Sequence, residues 1–504
     1  MKTITSLFSF VLIIVVSLFS RNAHAQNWPG IRDSVYSDVL KEKRRIQVIL
    51  PKDYNKDSGK TYEVLYVLDG EWYMEQIPFI YNFVMNSGYA SPNIFVLIPN
   101  TYVNNVNLRD RDFSPTRIND EQHLGGADNF HAFLKNELIP YVEKKYPTNG
   151  LRSLVGSSFS GLFAVYAFIK EPKLFKSYVA SDPNLNWDNG YVSKLAGEQL
   201  ENFTDVTSTL FIAGLEHTFG GMGIAAMDSV LKTTAPPSLH WKCLPYKDET
   251  HYSVQHKAFY DGFRFSHFGY SAKAPEFHPM SGMLEKDKSI RLFILNENPA
   301  ARYTMDGSEV SPSSPVLKRN DLVTISAPSV IKVKSFSHRK EYEQSVQATY
   351  KVGTIPSGKE RSKRSRAVEL RYSYFEGEWK EMPDFKKMKA VQSGIIGPDF
   401  NINGLTKSSA AYRIEGNFEA QEDANYIFAI SADGGSRLFV GGQLLMDSNV
   451  SNYKGIQSYV VSLKKGIYPI DLQLIKKQGD DMRFLVMQSK SENDRWWENQ
   501  ILKF

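Results

Sequence analysis

Two kinds of segment alternate through the first half of the chain. Short apolar runs such as VLYVL, IFVLI and TLFIAG recur between residue 27 and about residue 270, and longer amphipathic stretches such as NFHAFLKNELIPYVEKKY lie between them. Such runs predict buried strands, and the stretches between them predict crossover helices. The sequence therefore predicts an α/β domain over residues 26–272, with a mostly parallel sheet and helices on both faces.

The pattern changes in the second half, where only strands are predicted. Residues 279–352 contain short alternating strands and turn signals, as in SIRLFIL and DLVTISAPSVIKVKSFS, and predict a small β-sandwich. Residues 353–368 combine Pro, Gly, Ser and basic side chains, which predicts a solvated linker. Residues 369–504, rich in Tyr, Phe and Gly, predict a second sandwich. We therefore expect a multidomain protein in which two all-β modules follow the α/β domain.

The N-terminus has the pattern of a signal peptide. Lys2 precedes an apolar core at residues 7–19, and the small-x-small sequence AHA ends at residue 25. We expect residues 1–25 to be removed and the mature protein, starting near Gln26, to be exported to the periplasm or secreted. The apolar core is shorter than the roughly 20 residues of a spanning helix, which argues against a membrane anchor.

Cysteine usage and charge limit the possible partners. Cys243 is the single cysteine, so an internal disulfide is impossible and the domains must be held by their cores, for which 42% hydrophobic residues suffice. The net charge of +5 is concentrated in two places, because the predicted leader carries two cations and the stretch KERSKRSRA carries a net four. The rest of the chain is close to neutral, which argues against nucleic-acid binding.

The stretch LVGSSFSGLF, residues 154–163, has the pattern of a nucleophile elbow. An apolar strand leads into small residues around Ser158, and an apolar helix follows. Small neighbours are needed because the backbone is strained and closely packed at this turn. A serine hydroxyl does not lose its proton unaided near neutral pH, so it needs a histidine as base and a carboxylate to orient that histidine. Ser158 is therefore the predicted nucleophile.

The partners of Ser158 are sought downstream, in the chain order serine, acid, histidine. His251, in DETHYSV, is the predicted base. The acid is expected after the strand STLFIAG, where Glu216 is the first candidate, Asp228 the second and Asp248 a distant third.

The tetrahedral oxyanion needs two backbone donors. One is expected to be the N–H of Phe159, directly after the nucleophile. The other is expected from the loop after an early strand, where VLYVLDGEWY offers Gly70 or Glu71.

Four ordered motifs, VLYVLDG, RDRDFSPT, GSSFSG and THYSV, resemble the esterase-D-like branch of the α/β-hydrolases. That branch holds enterochelin esterases, acyl-glutathione hydrolases and many feruloyl and acetyl-xylan esterases. The resemblance covers about residues 30–268 and implies Ser158 as nucleophile and His251 as base, without a cofactor. The family's elbow usually has a glycine two residues after the nucleophile, where this chain has Ser160, followed by Gly161. Family members differ in the position of the acid.

Arg109 and Arg111, in RDRDFSP, match a family segment near the acyl-binding side. The match implies substrate binding, since a guanidinium can hold a carboxylate or sugar hydroxyls. The alternative is that Arg111 pairs with Asp112 or another carboxylate and fixes the loop.

No metal site is predicted, because five other histidines lack a regular ligand spacing: His123, His131, His217, His240 and His256.

The β-modules also resemble known families. ARYTMDGSEVSPSSPV, with its turn at Asp306 and Gly307, resembles the chitobiase C-terminal type of sandwich, and residues 369–490 resemble the protective-antigen type (PA-fourteen). Such modules imply spacers or contacts with carbohydrate. Lectin members of the second family hold calcium with two consecutive aspartates. Here Asp433 is followed by Gly434, so we do not expect a calcium site.

These patterns favour an exported serine esterase that removes acetyl or feruloyl groups from plant polysaccharide through an acyl-enzyme. Its expected partner is an ester-decorated polysaccharide or oligosaccharide, an expectation that rests on family analogy. A siderophore-lactone esterase of the enterochelin type is the alternative enzyme. A catalytically silent glycan-binding protein is the alternative of another class.

Overall fold

The computed structural model describes most of the chain and divides it into two compact units between His267 and Phe268. The described residues are 30–118, 121, 123–326, 328–360, 370–396, 409–432, 434–449, 456–477, 482–491 and 494–498. The predicted signal peptide and residues 361–368 of the predicted linker lie outside them. Within the described ranges, no helix is long and apolar enough to cross a membrane.

An eight-stranded sheet forms the centre of the first unit, in the order β1-β2-β4-β3-β7-β8-β9-β10. The first two strands pair antiparallel, and all pairs from β4 to β10 are parallel. This confirms the predicted α/β class. The strands of this unit, including the separate hairpin β5-β6, are β1 Ile31–Ser37, β2 Glu42–Ile49, β3 Tyr62–Leu68, β4 Asn93–Ile98, β5 Tyr102–Val103, β6 Val106–Asn107, β7 Thr148–Ser157, β8 Ser177–Ser181, β9 Thr209–Leu215 and β10 His240–Tyr246.

Helices cover both faces of this sheet. The α-helices are α1 Gly70–Tyr73, α2 Gln76–Asn86, α3 Arg109–Phe113, α4 Ala127–Phe133, α5 Ile139–Lys145, α6 Phe159–Lys170, α7 Trp187–Gln199, α8 Ile224–Thr234 and α9 Val254–Ser266. A π-helical turn, Leu134–Leu138, joins α4 to α5. Successive side chains of β3 point to opposite faces, so Tyr66 joins a core with α4 to α8 while Leu65 and Val67 join a core with α2 and α9.

The second unit consists of β-strands and short 3-10 turns within the described residues. A seven-stranded sheet has the order β15-β17-β18-β12-β25-β22-β27, and a six-stranded sheet has the order β20-β19-β21-β26-β23-β24. Two short pairs, β11-β14 and β13-β16, complete the sheets of these residues. The strands are β11 Phe277–His278, β12 Ser281–Leu284, β13 Ile290–Arg291, β14 Phe293–Ile294, β15 Ala301–Thr304, β16 Thr324–Ile325, β17 Ser329–Ser335, β18 Ser345–Val352, β19 Leu370–Glu376, β20 Gln392–Ile396, β21 Ala410–Ala420, β22 Ala424–Ser431, β23 Gly435–Val440, β24 Gln443–Asn449, β25 Ile456–Leu463, β26 Gly466–Lys476 and β27 Arg483–Ser489.

The two predicted β-modules share one sheet. Strand β12 lies parallel to β18 of the middle region on one side and parallel to β25 of the last region on the other. Ile427 and Val460 of the last region are buried in the same core as Ile331 and Tyr350 of the middle region. The second unit is therefore continuous across the two modules that the sequence predicts.

Part of the predicted linker is packed rather than solvated. Ile355 is buried in a core of the second unit. The N–H of Lys359 donates to the carbonyl of Ile467 at 3.1 Å, and the N–H of Ile467 donates back at 3.0 Å. A Cβ at Gly358 would lie 2.8 Å from the backbone nitrogen of Ile467. Gly358 and Lys359 therefore lie against the start of β26, and Ile355 is packed in the core, although the composition of this segment predicts a solvated linker.

Candidate active site

Ser158 occupies a strained turn between β7 and α6. Its φ of 57° and ψ of −116° lie in a region that non-glycine residues rarely adopt. Its N–H donates to the carbonyl of Ser181 at 2.9 Å, and its carbonyl accepts from the N–H of Asn184 at 3.2 Å. These contacts fix the backbone of Ser158 at the C-terminal edge of the sheet, which is the geometry of a nucleophile elbow.

Small residues around the turn allow its close packing. A Cβ at Gly156 would lie 2.3 Å from the carbonyl oxygen of Ser160, so the strand fits against the helix only with glycine there. Ser160 is fully buried. Its Oγ accepts from the N–H of Ser157 and donates to the carbonyl of the same residue, both at 2.9 Å. The serine that replaces the family's usual glycine is therefore accommodated by two local hydrogen bonds.

The carboxylate beside His251 is Asp182. The Nδ1 of His251 lies 2.6 Å from Oδ2 of Asp182, whose side chain is only 1% exposed. Strand β8 ends at Ser181, which pairs in register with Ser157 at the end of β7. Because the two strands are parallel, Asp182 and Ser158 leave the same sheet edge side by side. Asp182 therefore places His251 at the sheet edge where Ser158 lies. The sequence analysis did not name Asp182 as the acid.

The prediction that Glu216 orients His251 is corrected by this pairing. Glu216 lies on an exposed 3-10 turn after β9, and Asp228 pairs with Lys232 at 2.6 Å. Asp248 lies in a left-handed turn before His251. The acid emerges after β8, one strand earlier than expected. Its sequence signal was an aspartate directly after the apolar run SYVAS, on the strand that follows the elbow helix.

Strand β9 shapes the surroundings of Asp182. The N–H of Asp182 donates to the carbonyl of Ala213 at 2.6 Å, and the φ angle of Asp182 is 43°. A Cβ at Gly214 would lie 2.8 Å from Oδ1 of Asp182, so glycine leaves room for the carboxylate. The N–H of Leu215, at the end of β9, donates to Oδ1 of Asp182 at 3.4 Å, while Oδ2 contacts His251.

The predicted oxyanion donors lie on two helix N-termini. Phe159 is the first residue of α6, so its N–H has no acceptor within the helix. Gly70 begins α1, and a Cβ there would lie 2.6 Å from the backbone nitrogen of Ile98. The carboxylate of Glu71 accepts from the N–H and Nδ2 of Asn100 at 3.0 and 2.8 Å, and burial raises the pKa of Glu71. The oxyanion roles of Phe159, Gly70 and Glu71 stay predictions.

Arg109 connects the loop before Gly70 to the residue after the nucleophile. Its Nε and Nη2 donate to the two carboxylate oxygens of the fully buried Asp69 at 2.7 and 2.8 Å. Its guanidinium lies 5.0 Å from the ring centroid of Trp72 and 5.8 Å from that of Phe159. Burial alone would lower the pKa of Arg109, but the bonds to Asp69 raise it. Because Asp69 occupies its fork, Arg109 fits the positioning of this loop better than the binding of a carboxylate.

Arg111 belongs to a buried ion network instead of the candidate site. Its Nη2 lies 2.7 Å from Glu42 and 2.7 Å from Asp112. Arg44 donates to the other oxygen of Asp112 at 2.6 Å, and both of these side chains are 1% exposed. The alternative that Arg111 fixes the loop therefore describes its contacts, and the implied substrate-binding role does not.

No metal cluster is found within the described residues, where no three His, Cys, Asp or Glu side chains come together as ligands. Asp433 lies outside the described residues. A Cβ at Gly434 would lie 2.3 Å from the carbonyl oxygen of Ile475, so a second aspartate has no room there.

Family comparisons agree with this geometry. Residues 37–217 match the family model described as "Putative esterase", and residues 370–484 match that of the PA14 domain. The first unit belongs to the esterase family. The elbow at Ser158 falls inside the matched range of that esterase domain, whereas His251 lies beyond it. The PA14 match falls on the predicted protective-antigen-type module.

Several proteins are similar to the esterase domain. A ferri-bacillibactin esterase from Bacillus subtilis, BesA, is 31% identical over 71 residues, 14% of this chain and 25% of that protein. A siderophore triacetylfusarinine C esterase from Aspergillus fumigatus is 28% identical over 152 residues, 29% of this chain and 52% of that protein. The crystal structure of an IroE-like serine hydrolase from Shewanella oneidensis is 31% identical, with 46% of this chain and 78% of that chain covered and a TM-score of 0.42. The chain thus spans about half or less of the length of these two curated relatives.

Proposed function

We propose that this protein is an exported serine carboxylic ester hydrolase that removes acetyl or feruloyl groups from plant polysaccharide. One observation carries the ester-hydrolase part. Ser158, in its strained elbow, leaves the same edge of the sheet as Asp182, which contacts His251. Membership of the first unit in the esterase family supports the same reaction class.

The residues have distinct roles in this reaction. Ser158 attacks the ester carbonyl while Nε2 of His251 takes its proton and then delivers it to the leaving alcohol. Asp182 holds Nδ1–H of His251 and stabilises the imidazolium that forms. The N–H groups of Phe159 and Gly70 are the proposed donors to the oxyanion. Water, activated by His251, then hydrolyses the acyl-enzyme.

The carbohydrate part of the proposal rests on the second unit and on the N-terminus. The PA14 domain and the middle β-region resemble modules attached to glycan-active proteins. The signal-peptide pattern favours export, and an exported enzyme can reach plant polysaccharide outside the cytoplasm. An enzyme with a substrate-binding module would meet its polymer at a raised local concentration.

A siderophore-lactone esterase is the second candidate function, and one observation favours it. Of the two curated relatives described above, one is a siderophore esterase by name and the other is a ferri-bacillibactin esterase by name. A catalytically silent glycan-binding protein is the third, and the strained Ser158 with an intact Asp182–His251 pair argues against it.

The testing experiment compares the mature protein with Ser158→Ala on p-nitrophenyl acetate, methyl ferulate, acetylated and feruloylated xylan, and a catecholate trilactone. We expect turnover of small esters and decorated xylan, and a loss of about a thousandfold or more in the variant. Preference for the trilactone would replace the carbohydrate proposal with the siderophore one. Equal inertness of both proteins on every ester would overturn the esterase proposal.

A shortened protein ending near residue 272 tests the role of the second unit. We expect it to keep turnover on p-nitrophenyl acetate and to lose turnover on insoluble xylan. If both activities are unchanged, the second unit does not target the enzyme to polymer.

A further inference from the structure

Three large aromatic side chains are exposed on the stretch that follows the predicted oxyanion loop. Trp72 is 51% exposed, Phe79 is 74% exposed and Phe83 is 56% exposed. We call these three residues the aromatic stripe. Large aromatics dominate buried cores, so an exposed set of them marks a surface that binds something.

Helical geometry places the stripe on one face. Trp72 belongs to α1, and Phe79 and Phe83 belong to α2. Met74 and Glu75 between the helices keep right-handed backbone angles, so the helical turn continues through them. Spacings of seven and four residues then bring the three rings to the same side. The opposite side of α2 is buried in the core, where Ile77, Tyr81 and Val84 hold the helix.

The stripe begins at the candidate active site. The guanidinium of Arg109 lies over both the ring of Trp72 and the ring of Phe159, the residue after the nucleophile. At the other end, the ring centroid of Phe83 lies 6.1 Å from that of Tyr260. Any substrate long enough to extend past the reacting ester in this direction would lie on these rings.

Charge identifies the class of ligand. Between residues 72 and 92 the chain carries one charged side chain, Glu75. Two cations from other elements lie beside the ends of the stripe: Arg109, which is paired with the buried Asp69, and Arg264, which lies over the rings of Tyr89 and Tyr260. Asn82 and Asn86 are exposed on α2 beside the rings. A surface of aromatic faces with amide groups, and with cations only at its two ends, suits a neutral sugar chain, whose C–H faces pack on rings and whose hydroxyls bond to amides. A polyanion such as a nucleic acid or a ferric catecholate would need cations along it.

We propose that the aromatic stripe binds the neutral polysaccharide chain that carries the scissile ester. The proposal rests on the proposed function, because it assigns the stripe to the leaving-group side of the same reaction. Trp72 would hold the sugar nearest the ester, and Phe79 and Phe83 would hold sugars further along the chain.

The test uses the full mature protein with Phe79→Ala/Phe83→Ala, and Tyr36→Ala as the matched control. Tyr36 is 61% exposed on the edge strand β1, which β2 and β4 separate from β3, the strand that precedes the stripe. We expect kcat/KM on acetylated xylan to fall about tenfold or more in the double variant, since exposed rings at binding sites contribute strongly when truncated. Turnover of p-nitrophenyl acetate, which is too short to reach Phe79, should stay within about twofold. Phe79→Tyr/Phe83→Tyr should restore the polymer activity.

Binding is measured separately so that the result does not depend on catalysis. Ser158→Ala, with and without the double substitution, is mixed with insoluble xylan, and the bound fraction is compared. The proposal is overturned if xylan binding and polymer turnover are the same with and without the rings, whatever esterase activity the wild type shows. It is also overturned if light scattering shows a wild-type dimer that the double variant dissolves, because the stripe would then join two copies of the chain. A wild type that is inert on every ester but whose xylan binding needs the rings would refute only the proposed function.

Discussion

Nδ1 of His251 lies 2.6 Å from Oδ2 of Asp182, and this contact joins the turn after β10 to the end of β8. The buried carboxylate fixes the orientation of the ring and directs its other nitrogen away from Asp182. An acid on the strand next to the nucleophile strand is therefore the arrangement that this domain uses.

Substitution of the acid gives the first prediction. Asp182→Asn should lower kcat on p-nitrophenyl acetate by about a thousandfold or more, because the amide favours the wrong tautomer of His251. Glu216→Gln is the control and should leave kcat within about twofold. A large loss in Glu216→Gln together with a small one in Asp182→Asn would reverse the assignment of the acid.

Ser160 provides a stability prediction at the elbow. Ser160→Ala removes the acceptor for the N–H of Ser157 and should lower the free energy of unfolding by about 1–3 kcal/mol, because a buried donor is left unsatisfied. Urea unfolding measures this change as a shift in the midpoint of the transition of the first unit. An unchanged midpoint would show that another group bonds that N–H.

Arg109 and Arg111 are expected to behave differently. Arg109→Met leaves the buried Asp69 without its cation and should cost about 3–5 kcal/mol of stability, with a fall in kcat as the Gly70 loop shifts. Arg111→Met should lower the melting temperature but leave kcat/KM of the folded protein unchanged. Equal effects of both substitutions on kcat/KM would contradict this separation.

Alkaline stability should depend on Tyr73. Burial raises the pKa of Tyr73 from 10.0 to about 12. The neutral phenol is therefore favoured in the folded state, and its stabilising contribution is full below pH 10 and is lost as the pH rises from 10 to 12. The loss should be about 3 kcal/mol in wild type relative to Tyr73→Phe, which cannot titrate there. Parallel pH profiles for the two proteins in urea unfolding would rule out this role of Tyr73.

The second unit should unfold as one body. Because β12 joins strands of both predicted β-modules, a fragment of residues 268–504 should show a single unfolding transition. A fragment of residues 268–352 alone should be unfolded or aggregated, since it exposes the edge of β12 and a core that needs Ile427 and Val460. Two separate transitions in the longer fragment would show independent modules.

Local patterns in the sequence were enough to predict much of this protein. The alternation of strands and helices predicted the α/β class, and small residues on both sides of Ser158 predicted the elbow, because both depend on side-chain size and spacing within a short stretch. The PA14 and esterase resemblances rest on local motifs in the same way. His251 was predicted from its place after Ser158 in chain order.

Contacts between distant strands were decided only by the tertiary structure. The choice of Asp182 over Glu216 depends on which parallel strand ends beside His251, and that neighbour is 69 residues away in the chain. The ion pair between Arg109 and Asp69 depends in the same way on a contact that no local pattern encodes. So does the position of β12 between strands of the two β-modules. Spacing and composition fix what a segment can form, whereas its partner is set by the packing of the whole unit.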